Sequence, residues 1–205
     1  YNLAPEKTRQ YNVGAAYSAP SFGWCDELTL SADAYRGEIK DKIVAVPAVF
    51  IWKMSNVDYV ETLGADVNAK GVFSLPSRTK LHLSAVYSYM RAENCTPGSS
   101  LYGHQIVYTP LHSGAVDAAL ATPVADFGYS LLWSGKRYFI ARNIPSNEIE
   151  AYGEHSLWLA RTWNFKRLSL FAKAEVKNIA DRNYEIIRYY PMPGRNYTLT
   201  FKLTL

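Results

Sequence analysis

From Asn196 to Leu205 the residues alternate without a slip. Tyr197, Leu199, Phe201, Leu203 and Leu205 fall on one parity, and Asn196, Thr198, Thr200, Lys202 and Thr204 on the other. A period of two with this residue mix predicts a β-strand with one apolar and one polar face. Pro191 and Pro193 have no N–H to give a ladder, so the strand is expected to begin no earlier than Gly194 and Arg195. The same unit recurs upstream. Tyr11, Val13, Ala15 and Tyr17 alternate with Asn12, Gly14, Ala16 and Ser18, and Leu28, Leu30, Ala32 and Ala34 with Glu27, Thr29, Ser31, Asp33 and Tyr35. Tyr59, Leu63, Ala65 and Val67 define a third strand, and Leu81, Leu83, Ala85, Tyr87 and Tyr89 a fourth. Val116, Ala118 and Leu120, then Phe127, Tyr129, Leu131 and Trp133, define two more. Leu168, Leu170, Ala172, Ala174 and Val176 mark the strand before the last. Between them, residues 152–162 form a strand of ambiguous face, because Leu157 and Leu159 lie on one parity and Trp158 and Ala160 on the other.

The connections alternate in length. Short turns are expected at 19–26, 74–78, 122–126 and 163–166, and long connections at 37–56, 91–111, 135–151 and 178–193. Short turns on one rim and long loops on the other, joined by strands of about ten residues, describe an antiparallel up-and-down outer-membrane barrel. Counting back from Leu205 places the C-terminus on the short-turn side, which in such a barrel is periplasmic. In that setting a Lys or Arg facing lipid at mid-bilayer costs about 2–4 kcal/mol, so one parity of each strand must be nearly free of charge. Most strands obey this, with Glu61 the main exception and expected near a rim. The count is about nine strands, an odd number, whereas single-chain bacterial barrels have an even one. The chain is therefore expected to be part of a larger barrel.

Composition supports the pattern. The 205 residues are 48% hydrophobic and 14% aromatic, with sixteen Tyr and five Trp, yet no run approaches the roughly 18 apolar residues of a membrane helix. Membrane character must then lie in alternation. The net charge of +4 is modest and its basic residues are scattered, which gives no footprint for nucleic acid. The opening YNLAPEKT has neither a basic n-region nor an apolar h-region.

Little in the sequence points to covalent chemistry. His82, His104, His112 and His155 are dispersed and lack metal-ligand spacing, so hydrogen bonding in the lumen or loops is expected of them, and no metal or cofactor. Asp117 with His112, or Asp66 with His82, are conceivable acid and base pairs, with a polar barrel lining as the plainer expectation. Cys25 and Cys95 fall at opposite rims and are not expected to pair. Tyr17, Tyr87, Tyr89, Trp133 and Trp163 lie near strand ends, where interfacial girdles belong. The long connections carry Phe50, Trp52, Tyr102, Tyr108, Tyr189 and Tyr190, with His104, Arg142 and Arg188. These are the candidate lining of a substrate mouth. Two other readings share the pattern: a small autonomous outer-membrane enzyme or porin, which needs an even strand count, and a soluble ligand-binding barrel, which needs a polar exterior.

The segment VKNIADRNYEIIRYYPMPGRNYTLTFKLTL resembles the C-terminus of TonB-dependent outer-membrane receptors at Asn178, Ile179, Asp181, Tyr184, Tyr190, Pro191, Pro193, Gly194 and Arg195. The opening NLAPEKTRQYNVGAAY, with Leu3, Pro5, Glu6 and Tyr11, is similar to a segment that leads into a barrel strand in the same family, and Asp33, Tyr35, Ile39, Asp41 and Ile43 fit as well. The resemblance implies a 22-stranded barrel of which residues 1–205 are roughly the last nine strands, with the plug and earlier strands outside this chain. It also implies binding and import of iron–siderophore, haem or cobalamin, without an enzymatic step. The implied partners are the remaining strands and plug, a TonB-type energy-coupling protein acting through the N-terminal part, outer-membrane lipid, and the barrel-assembly machinery that reads the terminal alternation. Leu205 stands where the family usually ends in an aromatic residue.

Overall fold

The computed structural model describes residues 3–47 and 51–204. Phe50 and Leu205 lie outside the described residues, as do the side chains of Val46 and Pro47. The wall strands are β1 (Lys7–Ala19), β2 (Cys25–Pro47), β3 (Trp52–Leu75), β4 (Thr79–Asn94), β5 (His112–Ala121) and β6 (Asp126–Ser134). Two short strands, β7 (Arg137–Tyr138) and β8 (Glu148–Ile149), precede β9 (Tyr152–Asn164) and β10 (Ser169–Lys177). A second short pair, β11 (Glu185–Ile187) and β12 (Tyr190–Pro191), precedes β13 (Asn196–Thr204). One antiparallel sheet of nine strands runs β1-β2-β3-β4-β5-β6-β9-β10-β13, while β7–β8 and β11–β12 form separate hairpins. The sheet is open: β1 and β13 are its edges. The terminal strand begins at Asn196, just past the two prolines, as their missing N–H groups require.

Register carries the apolar parity intact from strand to strand. Ala32 faces Val67, which faces Tyr87; Leu83 faces Ala118, which faces Tyr129, which faces Leu157, and Val176 then leads to Tyr197. One surface of the sheet is thus a continuous apolar band. From Leu81 to Tyr89 it follows about 27 Å of strand, which at a tilt of roughly 40° stands about 20 Å tall. Its residues have no second protein layer to bury them: Val13 is 73%, Leu199 70% and Phe201 70% exposed. Lipid is the solvent that such a face requires. An apolar hollow of about 630 Å³ on the same face, lined by Leu81, Leu120, Phe127, Leu157 and Leu199 among others, is part of that band.

The structure settles the ambiguous strand. In β9, Leu157 and Leu159 join the apolar band, while Trp158 points to the opposite surface and lies over Gly128 of the facing strand. A Cβ on Gly128 would stand 2.0 Å from Trp158 Cε2, so the glycine is the space the indole occupies. A similar exchange occurs on the apolar face, where Tyr87 and Trp133, on strands either side of β5, stack across Gly114 with ring centroids 6.1 Å apart. The Tyr87 hydroxyl lies 2.8 Å from His112 Nδ1, and the Tyr129 hydroxyl 2.8 Å from His155 Nδ1. The first pair extends the tyrosine–tryptophan girdle at the long-loop rim, and the second lies within the apolar face.

Three sequence expectations need correction. Residues 37–56 are not a loop: β2 runs to Pro47 and β3 starts at Trp52, so the pair continues as a ladder well beyond the apolar band. Likewise β4 runs on to Asn94, four residues into the expected connection. Above the band Ile39, Val60, Ala92 and Ile106 form a small buried cluster with Val44 and Val57 packed against it. A ladder outside the bilayer is held by this local core and needs no lipid-facing parity, which is why alternation fades there. Glu61 is also not the main charge on the apolar parity. Arg36, Arg91 and Arg161 share it, Arg36 reaching Glu61 at 3.6 Å and Arg91 reaching Glu93 at 3.8 Å. All but Arg161 lie on the long-loop side of the tyrosines; Arg161 lies near the short turns with its guanidinium 5.4 Å from the Trp163 ring.

Candidate functional site: an interlocked loop layer on one rim

Three long connections meet above β4–β13. The first, residues 95–111, is tied to the second, 135–151, by a reciprocal amide pair: Gln105 N–H donates to Asn143 Oδ1 at 2.5 Å, and Asn143 Nδ2 donates to the Gln105 carbonyl at 3.1 Å. The Tyr108 N–H donates to the Tyr138 carbonyl at 2.8 Å. Gln105, buried itself, also accepts from the Ala92 N–H at 3.1 Å and donates to the carbonyls of Met90 and Thr109. The second connection is tied to the third, 178–195, by Arg137, whose Nη2 donates to the carbonyls of Glu185 at 2.6 Å and Ile186 at 3.0 Å. Arg137 is only 3% exposed, with its guanidinium 5.5 Å from the Tyr152 ring centre, and Tyr152 in turn stacks on Tyr184 at 4.3 Å. Burial holds the Arg137 value below the ordinary arginine range, against the favourable fields of Tyr152 and Tyr108.

The motif residues build the third connection. Asn178, 1% exposed, donates from Nδ2 to the carbonyls of Arg182 at 2.9 Å and Pro193 at 3.2 Å, and its Oδ1 accepts from the Arg182 N–H at 3.0 Å. Asp181 Oδ1 accepts from the Arg195 N–H at 2.7 Å, and Arg195 Nε donates to the Ile179 carbonyl at 3.0 Å. Asn178 (φ 49°) and Asp181 (φ 51°) are left-handed, a conformation their side chains tolerate better than most. A Cβ at Gly194 would lie 2.8 Å from Asp181 Oδ1, which excludes larger residues beside that carboxylate. Tyr184 donates to Glu154 Oε2, and burial followed by that hydrogen bond raises its phenol far above the ordinary range. Pro191 falls in the β12 strand and Pro193 offers only its carbonyl. At the other end of the chain, Glu6 Oε2 accepts from the Ile43 N–H at 3.0 Å and Glu6 pairs with Lys42 at 3.4 Å, so the segment around Pro5 is pinned to the β2–β3 ladder.

The expected mouth residues divide into two groups. Tyr108, Arg188 and Tyr189 come together: the Arg188 guanidinium lies 5.1 Å from the Tyr189 ring and 5.4 Å from that of Phe139, with Phe139 edge-on to Tyr189 at 6.3 Å. Tyr108 (φ 58°) and Tyr189 (φ 70°) are both left-handed, which is uncommon for bulky residues and concentrates at functional sites. Burial pushes the Tyr108 phenol up, against the pull of the Arg188 backbone N–H and of the Arg137 guanidinium. His104 sits with Nδ1 3.1 Å from the Ala141 carbonyl and 3.3 Å from the Asn143 N–H, a structural place between two loops. Trp52, Tyr102, Arg142 and Tyr190 are exposed and do not join the cluster. Arg137 and Phe139 belong to it and were not singled out by the sequence. Beside it a cavity of about 750 Å³ opens between the second and third connections, lined by Glu148, Tyr152, Arg182, Tyr184, Glu185 and Arg188, among others.

The acid and base pairs do not form. Asp117 lies on the polar face, bonded to Ser130 at 2.6 Å, whereas His112 is on the apolar face. Asp66 is bonded to Ser88 at 2.5 Å, three turns of the pleat away from His82, which stands opposite Val72. No group of three His, Cys, Asp or Glu among the described residues is arranged to hold a metal. Cys25 and Cys95 are both free.

An open arc of antiparallel strands with a lipid-facing band, short turns on one rim and an interlocked loop layer on the other defines part of an outer-membrane-type β-barrel. The chain belongs to the TonB-dependent receptor-like β-barrel family, whose model matches residues 1–179. No curated protein sequence matches it. Among solved structures it is similar to the ferric preacinetobactin receptor BauA of Acinetobacter baumannii, at 17% identity and a TM-score of 0.67, covering 96% of this chain and 29% of that one. It is also similar to the ferric-catecholate import receptor Fiu of E. coli K12, at 18% identity and 0.69, covering 98% and 28%. The copper transporter OprC gives 18% and 0.70, covering 98% and 31%. At these identities the likeness is one of fold, and the chain spans less than a third of each of these proteins. The family is one of outer-membrane barrels; no helix of the described residues is long and apolar enough to cross a membrane, which says nothing of strands.

Proposed function

We propose that residues 1–205 are the C-terminal arc of the barrel of a receptor that binds a scarce nutrient complex outside the cell and imports it, an iron–siderophore, haem or cobalamin. The observation that carries this reading is the loop layer: three long connections on one rim are fastened by buried side chains, while exposed aromatics, Tyr102, Tyr189 and Tyr190, stand over it. Order of that kind costs conformational entropy, and a binding mouth is what rewards it. The rim with these loops faces outward and the β13 end faces the periplasm. Passage is gated by a plug and driven by a TonB-type partner, both acting through parts of the receptor beyond this chain. The barrel-assembly machinery would read the alternation of β13. Receptors for ferric complexes among the similar folds support the iron–siderophore class first. The test is uptake of radiolabelled ferric siderophores, haem and cobalamin by cells with and without the complete gene. Energy-dependent uptake of one class that follows the gene supports the proposal; indifference to all three contradicts it.

A further inference from the structure

The fourth short turn differs from the other three in charge. Residues 161–167, RTWNFKR, carry Arg161, Lys166 and Arg167 and no acid, and all seven are exposed. In the second turn Lys80 is already paired with Asp26 at 2.9 Å, and residues 19–25 and 122–125 hold no cation. Arg161 is also on the lipid-facing parity, where β9 reads Leu157, Leu159, Arg161, Trp163. Its depth follows from register. Ala160 pairs with Asp126, the first residue of β6, so Arg161 stands level with the turn from β5 to β6, about 7 Å of strand beyond Leu159. Hydrocarbon disfavours a guanidinium strongly at mid-bilayer and hardly at all near the interface, so this is the depth at which headgroups begin. Trp163, whose ring lies 5.4 Å from that guanidinium, is a residue type that favours the same depth. The Phe165 N–H donates to the Leu168 carbonyl at 2.8 Å, which closes the hairpin and puts Lys166 and Arg167 at its tip, further into the water.

We propose that the end of the β9–β10 hairpin seats an anionic phospholipid of the leaflet on the short-turn side. The inference goes beyond the import reading and is independent of the nutrient carried. A guanidinium is a planar fork that fits two oxygens of a phosphodiester, and Trp163 holds this one in place as it does so. Lys166 and Arg167 add positive charge at the tip, which favours a net anionic headgroup over a zwitterionic one. The other half of the ligand is set by what lies on the bilayer side of Arg161. There the apolar hollow of about 630 Å³ begins at Leu159 and continues past Leu157 and Leu199 to Phe127 and Leu81. A phosphate bound at Arg161 therefore has its acyl chain over that hollow, an arrangement that suits a lipid and offers nothing to a soluble phosphate.

The experiment uses the receptor made from its complete gene, purified in detergent, with dioleoylphosphatidylglycerol or dioleoylphosphatidylcholine added and the first bound lipid counted by native mass spectrometry. The two lipids share their acyl chains and differ in headgroup charge. The expected result is half-saturation by phosphatidylglycerol at about one tenth of the phosphatidylcholine concentration. Arg161→Gln brings that ratio close to one, and Arg161→Lys, which keeps the charge and loses the fork, leaves it between the two. Lys166→Gln with Arg167→Gln lowers the preference about threefold, whereas Arg78→Gln, on the second turn, leaves it as in wild type. Unchanged heat-modifiable electrophoretic mobility confirms that each variant is folded. Equal binding of the two lipids by wild type overturns the proposal. So does an Arg161→Gln variant as selective as wild type, or an equal loss in Arg78→Gln, which would make the effect one of general rim charge. Glycerol 3-phosphate in large excess should leave the lipid bound; its displacement would mean a site for soluble phosphate and would also overturn the proposal.

Discussion

Replacing Asn178 by Ala removes the side chain that closes the loop between β10 and β13. Three hydrogen bonds vanish, and because the site is 1% exposed, water cannot replace them at the Arg182 N–H or at the Arg182 and Pro193 carbonyls. At about 1 kcal/mol net for each, the loss is about 3 kcal/mol. The backbone adds to it, since φ of 49° costs Ala about 1 kcal/mol more than it costs a glycine. Asn178→Gly therefore loses the hydrogen bonds without that strain and separates the two contributions. The rest of the sheet is held by its own ladders, so the damage is local and a whole-molecule melting curve is the wrong readout. Hydrogen exchange is the right one. Amides of Arg182 and Arg195, which donate to Asn178 and Asp181, should exchange up to roughly a thousandfold faster in Asn178→Ala and roughly a hundredfold faster in Asn178→Gly, while β10 amides keep their protection. Unchanged exchange at Arg182 and Arg195 in the alanine variant would refute the role given to Asn178.

Other consequences follow from the faces of the sheet and the loop layer. Val67→Arg, on the apolar band, should lower folding stability in bilayers by about 2–4 kcal/mol, while Asn68→Arg, one residue along on the polar face, should change it little; equal effects would mean that the faces are misassigned. Gly128→Ala should destabilise by about 1–3 kcal/mol through its clash with Trp158, and Trp158→Leu in the same chain should recover most of the loss, both read from denaturant unfolding of the refolded receptor. Tyr184, held neutral by burial and by Glu154, contributes stability that is fully present below about pH 10 and fades only as pH climbs through its raised value. The ultraviolet tyrosinate difference between wild type and Tyr184→Phe should accordingly stay flat through the ordinary tyrosine range, and a step near pH 10 would count against the contact.

The wall was legible because lipid imposes one rule on every strand. Where Leu157 and Leu159 face hydrocarbon, polar residues are excluded at those positions, so alternation survives in the sequence. The ambiguity at Trp158 and Ala160 arose because a large aromatic also fits the polar surface when Gly128 makes room, and nothing local to Trp158 says so. Beyond the bilayer the rule lapses: Ile39, Val44, Val57 and Val60 pack around their own small core, and the ladder they belong to reads as an irregular connection. Of the loop residues, Tyr108, Arg188 and Tyr189 were visible as aromatic and cationic side chains in long connections. Arg137 was not, because in SGKRYF it looks like an ordinary loop cation. Its burial depends on carbonyls 48 and 49 residues away. Its aromatic neighbours Tyr138 and Phe139 were the one local hint.

The central claim is that one surface of this sheet meets lipid and the other does not. Spin labels placed singly at Val116, Asp117, Ala118 and Ala119 of β5, with Cys25 and Cys95 replaced by Ser in the complete receptor reconstituted into bilayers, test it directly. Collisions with oxygen, which concentrates in hydrocarbon, should be frequent at positions 116 and 118 and infrequent at 117 and 119. A flat profile along the four positions, or one of opposite phase, would contradict the account.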